Sequence, residues 1–155
     1  MAQKTSVSDD SSLVDFFQGI GRSLLQGASH FWNINKDVGW GYDNKKSDVL
    51  LVQFLINSFN ETAGGATKLV EDGLFGKKTY KAVKAFQTQY DSLGIGSLYA
   101  DGVVNSPFPT QLSFGGSFYT IHALNSVYMQ NNRHFYNDLR MDPKLPSNLC
   151  QILLM

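Results

Sequence analysis

The segment of residues 49–59 constrains the fold of this chain more than any other, because only three of its residues are polar. A helix with this sequence is apolar around almost its whole circumference, so other elements must cover it on more than one side. The segment therefore predicts an apolar helix whose second face is covered by another element. Asp48 is placed to cap its N-terminus.

A second helix is predicted over residues 76–90 by the clearest amphipathic pattern in the chain. One side carries Thr79, Val83, Phe86 and Tyr90 at helical spacing. The lysines occupy the other side, at Lys77, Lys78, Lys81 and Lys84. Because Phe86 lies two turns after Thr79 on the same face, we expect it to fill the core between the two helices.

Three further helices are predicted from apolar spacing. The first covers residues 12–31, behind a capping box formed by Ser12 and Asp15. The second begins near Ser117 and extends or kinks toward Leu139, before the prolines at 143 and 146. Its expected inward side chains are Ile121, Leu124, Val127 and Tyr128. The third is a short apolar helix over residues 147–155.

The remaining segments are rich in Gly, Asn, Asp and Pro and are predicted to be loops. They cover residues 33–47, 60–68 and 91–116, with a short β-bridge expected around residues 102–104. Residues 1–10 are polar and show no apolar periodicity.

Charge and cysteine content exclude several classes of function. The 13 basic and 13 acidic residues give a net charge of zero, so the chain lacks the positive field that nucleic-acid or anionic-membrane binding requires. The single cysteine excludes an internal disulfide, and no Cys/His spacing indicates zinc. We expect no metal and no cofactor. No membrane span and no secretory signal are recognisable, which is compatible with a cytoplasmic, particle-associated or non-classically exported protein.

Three sequence motifs occur in order along the middle of the chain. They are Asp48-Val49-x-x-Val52-Gln53-x-x-Ile56-Asn57, then Asp72-Gly73-x-Phe75-Gly76-x-x-Thr79-x-x-Ala82-Val83-x-x-Phe86-Gln87, then Asp101-Gly102-x-Val104. This pattern resembles the peptidoglycan-binding domain family, a small helical module appended to bacterial amidases and muramidases. The upstream Val38-Gly39-x-Gly41-x-x-Asn44 and the downstream Gly115-Gly116 with Thr120-Ile121-x-x-Leu124-Asn125 are similar to one branch of that family.

The resemblance implies an all-α fold, namely a three-helix peptidoglycan-binding-type bundle with long loops and extra N-terminal and C-terminal helices. It divides the chain into an N-terminal tail and helix (1–37), a peptidoglycan-binding-like domain (38–132) and a C-terminal extension (133–155). The residues of the structural motif are Val49, Gln53, Gly73, Phe75, Gly76, Thr79, Val83, Phe86, Gln87 and Gly102. We expect Gly73 and Gly76 to lie where the backbone needs positive φ or close approach. The two glutamines are expected to satisfy buried backbone groups of the loops.

Exposed loop aromatics are the natural platform for a sugar, since a flat ring stacks on a pyranose while polar groups bind its hydroxyls. The aromatic candidates are Trp40, Tyr42 and Tyr99, with Asp72 and Asp101 as hydrogen-bond acceptors. Trp40 and Tyr42 can alternatively pin their loop onto residues 49–59. The lysines 77, 81 and 84 can meet carboxylates of the ligand, or they can simply be solvated.

The residue inventory predicts no catalytic function. His30, His122 and His134 are far apart in sequence, and Cys150 lacks a local nucleophile signature. Glu61 is expected in a Gly-rich loop and Glu71 beside a turn, and neither is the apolar pocket that raises a carboxyl pKa. We expect Cys150 to be a small core residue.

The sequence therefore predicts a non-catalytic module that binds peptidoglycan or a muropeptide. One alternative is a protein-docking component of a phage tail or contractile secretion apparatus, with a partner bound through the N-terminal helix, residues 49–59 or the C-terminus. Another is a targeting module of a secreted effector.

Overall fold

The computed structural model describes residues 2–6, 30–64, 68–92, 98–107, 113–114 and 117–153. These residues are mostly helical, with two small antiparallel sheets that the all-α prediction did not include. The elements in chain order are β1 Gln3–Ser6, β2 His30–Asn33, α1 Lys46–Ala63, α2 Lys77–Ser92, β3 Ser113–Phe114, β4 Ser117–Phe118, α3 Thr120–Asn131, α4 Arg133–Tyr136, a 3-10 helix Leu139–Met141 and α5 Ser147–Leu153. β1 pairs with β2, and β3 pairs with β4.

Helix α1 is covered on more than one side, as its composition predicts. Every residue from position 48 to position 57 is buried, and α2, α3 and α5 all pack against this helix. The capping prediction for Asp48 was wrong because α1 begins at Lys46, which places Asp48 in the first turn. Its carboxylate instead accepts a hydrogen bond from the backbone N–H of Lys36 at 3.0 Å. The helix also continues past the predicted end, so Glu61 is helical and not in a loop.

Helix α2 has the two faces that the sequence predicts. Thr79, Val83, Phe86 and Tyr90 are buried, whereas the side chains of all four lysines are exposed. Phe86 packs edge-on against Phe59 of α1, with ring centroids 4.9 Å apart. The prediction that Phe86 fills the space between these helices is confirmed.

The C-terminal helices follow the prediction with shifted boundaries. Residues 117–118 form a strand, so the predicted helix begins only at Thr120. It ends at Asn131, because the φ of −135° and ψ of 46° at Asn132 interrupt the helical path before α4. The four side chains predicted to face inward are all buried. Helix α5 then forms close to where the apolar C-terminal segment predicts it.

Strand β2 replaces the end of the helix predicted over residues 12–31. His30 and Phe31 belong to β2, so the prediction is wrong for them, and its remainder lies outside the described residues. Asn125 of α3 holds the strand: its Oδ1 accepts the N–H of Trp32 at 2.7 Å, and its Nδ2 donates to the Trp32 carbonyl at 2.8 Å. The indole N–H of Trp32 donates to the carbonyl of Tyr136 at 2.8 Å. The Asn125 side chain thus pairs with both backbone groups of Trp32, which favours an extended conformation over a helix.

The long connections are fixed at a few points. Val38 and Val104 form the β-bridge predicted for residues 102–104, with N–H to carbonyl distances of 2.9 and 2.8 Å.

Among the helices in the described ranges, none combines the length and the apolar character that crossing a membrane requires.

Candidate ligand-binding surface

Gln53 of α1 organises the turn that precedes α2. Its Nε2 lies within 3.1–3.2 Å of three acceptors, namely Asp72 Oδ1, the Leu74 carbonyl and Thr79 Oγ1. Its Oε1 accepts the backbone N–H of Gly73 at 2.9 Å. One buried amide thus ties α1 to the turn and to the first turn of α2. We call Gln53 and these four partners the first glutamine cluster.

Gln87 of α2 repeats this arrangement at the turn after its own helix. Its Nε2 lies 3.3 Å from Asp101 Oδ1, 2.9 Å from the Val103 carbonyl and 3.0 Å from Thr120 Oγ1. Its Oε1 accepts the N–H of Gly102 at 2.9 Å. The role predicted for the glutamines is confirmed at both positions. We call Gln87 and these four partners the second glutamine cluster.

The glycine of each cluster is required by backbone conformation and by close neighbours. Gly73 and Gly102 have φ values of 74° and 76°, which side chains rarely tolerate. A Cβ at Gly73 would lie 2.9 Å from the Lys46 carbonyl oxygen, and one at Gly102 would collide with the Tyr80 ring. Gly76 does not show the predicted close approach, because a Cβ there would have no neighbour within 4 Å.

The predicted ligand acceptors Asp72 and Asp101 are turn-forming residues. In each carboxylate, Oδ1 accepts the N–H two residues ahead at 2.9 Å, from Leu74 and from Val103. The hydrogen bonds from Leu74 and then from Gln53 lower the pKa of Asp72, so the carboxylate stays ionised to unusually low pH. Both side chains are exposed, but one oxygen of each is committed to the turn.

An aromatic surface lies over the two turns. Trp40 is 54% exposed and stands edge-on to Phe75, with ring centroids 5.6 Å apart. Its other neighbour is Tyr80 of α2, at 5.9 Å. The amine of Lys84 lies 5.9 Å from the centre of the Tyr80 ring. We call Trp40, Phe75, Tyr80 and Lys84 the Trp40 cluster.

Each member of the Trp40 cluster is positioned by an element described above. The first glutamine cluster fixes residues 72–74 and therefore Phe75, while Tyr80 packs over Gly102 of the second. Asn44, with φ 48°, holds the loop that carries Trp40. Its Nδ2 donates to the Gly39 carbonyl, and its Oδ1 accepts the Gly39 N–H, both at 2.8 Å. The aromatic surface is therefore held in place by contacts within the chain.

The other two aromatic candidates are also exposed. Tyr42 is 45% exposed and lines a shallow depression that also contains Asp37, Asp43 and Ser106. The Tyr42 carbonyl accepts a hydrogen bond from Asn44 at 2.9 Å, which places it on the same fixed loop as Trp40. Tyr99 is 53% exposed and lies two residues before Asp101.

A separate cleft of about 370 Å³ lies between β1, the residues after α4, and α5. Its cationic groups already have partners. The Lys4 amine donates to the Asn137 carbonyl at 2.8 Å, and the Arg140 guanidinium is paired with Asp138. We therefore place the candidate site at the Trp40 cluster.

The residues considered for catalysis do not converge. His30 is buried and stacks on Tyr136, with ring centroids 5.3 Å apart. His122 is buried elsewhere, edge-on to Phe31, while His134 is exposed. Glu61 is paired with Lys144, Glu71 accepts a hydrogen bond from Asn57, and Cys150 is partly buried. Within the ranges that the structure describes, no three His, Cys, Asp or Glu side chains are grouped to hold a metal ion.

Sequence reasoning identified Trp40 but missed its neighbours Phe75 and Tyr80 and the contact of Lys84 with Tyr80. The available signal was the spacing on α2, since Tyr80 lies four residues before Lys84 on one helix face.

Comparison of the chain with protein-family models, curated proteins and solved structures yields no match.

Proposed function

We propose that this chain is a non-catalytic module that binds peptidoglycan or a muropeptide through the Trp40 cluster. The scaffold would be a three-helix bundle of the peptidoglycan-binding type, formed by α1, α2 and α3. The observation that carries this proposal is the exposure of Trp40, which remains 54% exposed although its ring is held against Phe75 and Tyr80.

A fixed, half-exposed indole suits carbohydrate binding. The ring face stacks on the apolar face of a pyranose without losing side-chain freedom, because its neighbours already hold it. The exposed carboxylate oxygens of Asp72 and Asp101 and the polar groups around Tyr42 are available for hydroxyl and amide groups of the ligand. A site of this kind holds a glycan but has no group placed for bond cleavage.

The two glutamine clusters support the kinship on which the ligand assignment rests. They are formed by the motif residues Gln53, Asp72-Gly73, Thr79, Gln87 and Asp101-Gly102, which carry the resemblance to the peptidoglycan-binding family. Residues that were matched only as a pattern thus act together as two equivalent structural units. This agreement supports the family assignment and does not by itself identify the ligand.

Co-sedimentation with purified sacculi tests the proposal. We expect retention of the wild-type chain, and a roughly tenfold weaker affinity for Trp40→Ala, corresponding to the loss of about 1.4 kcal/mol of stacking and burial. Met141→Ala, which shortens a 68% exposed side chain outside the cluster, is the control and should bind like wild type. If the folded wild-type protein, verified by circular dichroism, is not retained at low salt, the proposal is wrong.

Docking to another protein is the principal alternative. The structure weakens one argument for it, the apolar surface of residues 49–59. The apolar surface of α1 is covered within the chain by α2, α3 and α5, so it does not need a partner. The predicted N-terminal docking helix lies almost wholly outside the described residues. A surface that the chain itself leaves open, the Trp40 cluster, therefore favours ligand binding over docking through α1.

A further inference from the structure

Two lysines flank the aromatic surface on helix α2. Lys77 and Lys84 lie three residues before and four residues after Tyr80, and these spacings place them on the same helix face as Tyr80. The side chains of both are exposed. The amine of Lys84 lies 5.9 Å from the centre of the Tyr80 ring, which in turn neighbours Trp40. The ammonium group of Lys84 therefore borders the surface to which the proposed ligand would bind, and Lys77 shares its helix face.

The other two lysines of α2 point away from this surface. With about 100° of rotation per residue, Lys81 lies about 100° from Tyr80 around the helix axis and Lys78 about 160°. Both are exposed as well. The helix thus carries two pairs of exposed lysines with equal charge, of which only one pair shares the helix face of Tyr80.

The acidic groups near the cluster can accept hydrogen bonds, but they are less able to move toward a ligand. Asp72 and Asp101 each use Oδ1 for a backbone N–H and a glutamine amide, which fixes the carboxylate in its turn. Lysine amines instead sit at the ends of long flexible side chains and can move to a ligand group. The groups that can adapt to a ligand beside Trp40 are therefore cationic.

We infer that the ligand of the Trp40 cluster is an anionic glycan, whose sugar ring stacks on Trp40 while its carboxylates pair with Lys77 and Lys84. This inference rests on the proposed function and specifies its ligand class. A neutral glycan could only accept hydrogen bonds from the two amines, whereas a muropeptide with free carboxylates could also form ion pairs with them.

The test uses two soluble probes of similar length: a neutral N-acetylglucosamine oligomer and a muropeptide with free carboxylates. Isothermal titration calorimetry measures both at low and at moderate salt. We expect the wild-type chain to bind the muropeptide more tightly and with a stronger salt dependence. The double variant Lys77→Gln/Lys84→Gln should lose about fivefold in affinity for the muropeptide and little for the neutral oligomer.

The matched control is Lys78→Gln/Lys81→Gln, which removes the same charge from the same helix and should bind the muropeptide within about twofold of wild type. Equal losses in the two double variants would overturn the inference, because net charge alone would then explain them. Equal binding of both probes by the wild type would overturn it while leaving the proposed function intact. Absence of binding to either probe and to sacculi would overturn the proposed function itself.

Discussion

Replacing Gln53 with leucine tests whether the first glutamine cluster stabilises the fold. The substitution keeps the side chain at a similar size and removes its amide. The amide has two donor hydrogens and one acceptor oxygen, and four partners lie within 3.2 Å of it. At most about three hydrogen bonds are lost, each worth about 1 kcal/mol net, and the buried N–H of Gly73 loses its partner.

We therefore expect Gln53→Leu to lower the free energy of unfolding by about 3–4 kcal/mol. For a chain of this size, that corresponds to a decrease in Tm of about 10 °C. Urea denaturation followed by circular dichroism should show a lower midpoint with an unchanged m-value. Gln87→Leu should have a similar effect, because the second glutamine cluster has the same hydrogen bonds.

The control for this experiment is Gln89→Leu, which changes an exposed glutamine of α2. It should alter the free energy of unfolding by less than about 0.5 kcal/mol. If Gln53→Leu is as stable as Gln89→Leu, the amide does not hold the turn and the role that we assign to both clusters is wrong.

Three further predictions concern other parts of the fold. Gly102→Ala should lower the Tm more than Gly64→Ala in calorimetry, since both glycines have a φ of 76° but only a Cβ at position 102 would meet another side chain. Burial is the largest effect on the pKa of His30 and lowers it, so the folded state resists protonation of this side chain. The free energy of unfolding should therefore fall as the pH drops below about 6.5. Unfolding curves measured at pH 7.5 and 5.5 should show a smaller decrease for His30→Gln than for wild type. Tyr128→Phe removes a buried hydrogen bond of 2.6 Å to Asp142 and should cost about 2 kcal/mol in urea denaturation.

The features predicted best from the sequence are those fixed by local pattern. The burial of residues 49–59 and the two faces of α2 follow from residue type and spacing alone. The motif also predicts a structural role for Gln53 and Gln87, whose partners lie mainly on the turns that follow their own helices. Thr120 was not recognised as the partner of Gln87, although its place in the second cluster repeats that of Thr79 in the first.

The features that the sequence did not predict depend on distant residues. The apolar spacing continues through His30 and Phe31 and therefore predicts a helix where β2 begins. The extended conformation of β2 depends instead on Asn125 and Tyr136, about a hundred positions away. The Trp40 cluster likewise combines a loop, a turn and a helix. Periodicity within one segment carries no information about such pairings.

The hydrogen bonds between β2 and the C-terminal helices also determine when this protein can fold during its synthesis. Trp32 leaves the ribosome early, but its partners Asn125 and Tyr136 follow only after more than ninety further residues have been added. Until then the nascent chain holds α1 without the cover of α3 and α5, and its apolar surface is exposed to other nascent chains and to chaperones. The native core can therefore close only after α3 and α5 have been synthesised, and emergence of the motif-bearing middle is not sufficient.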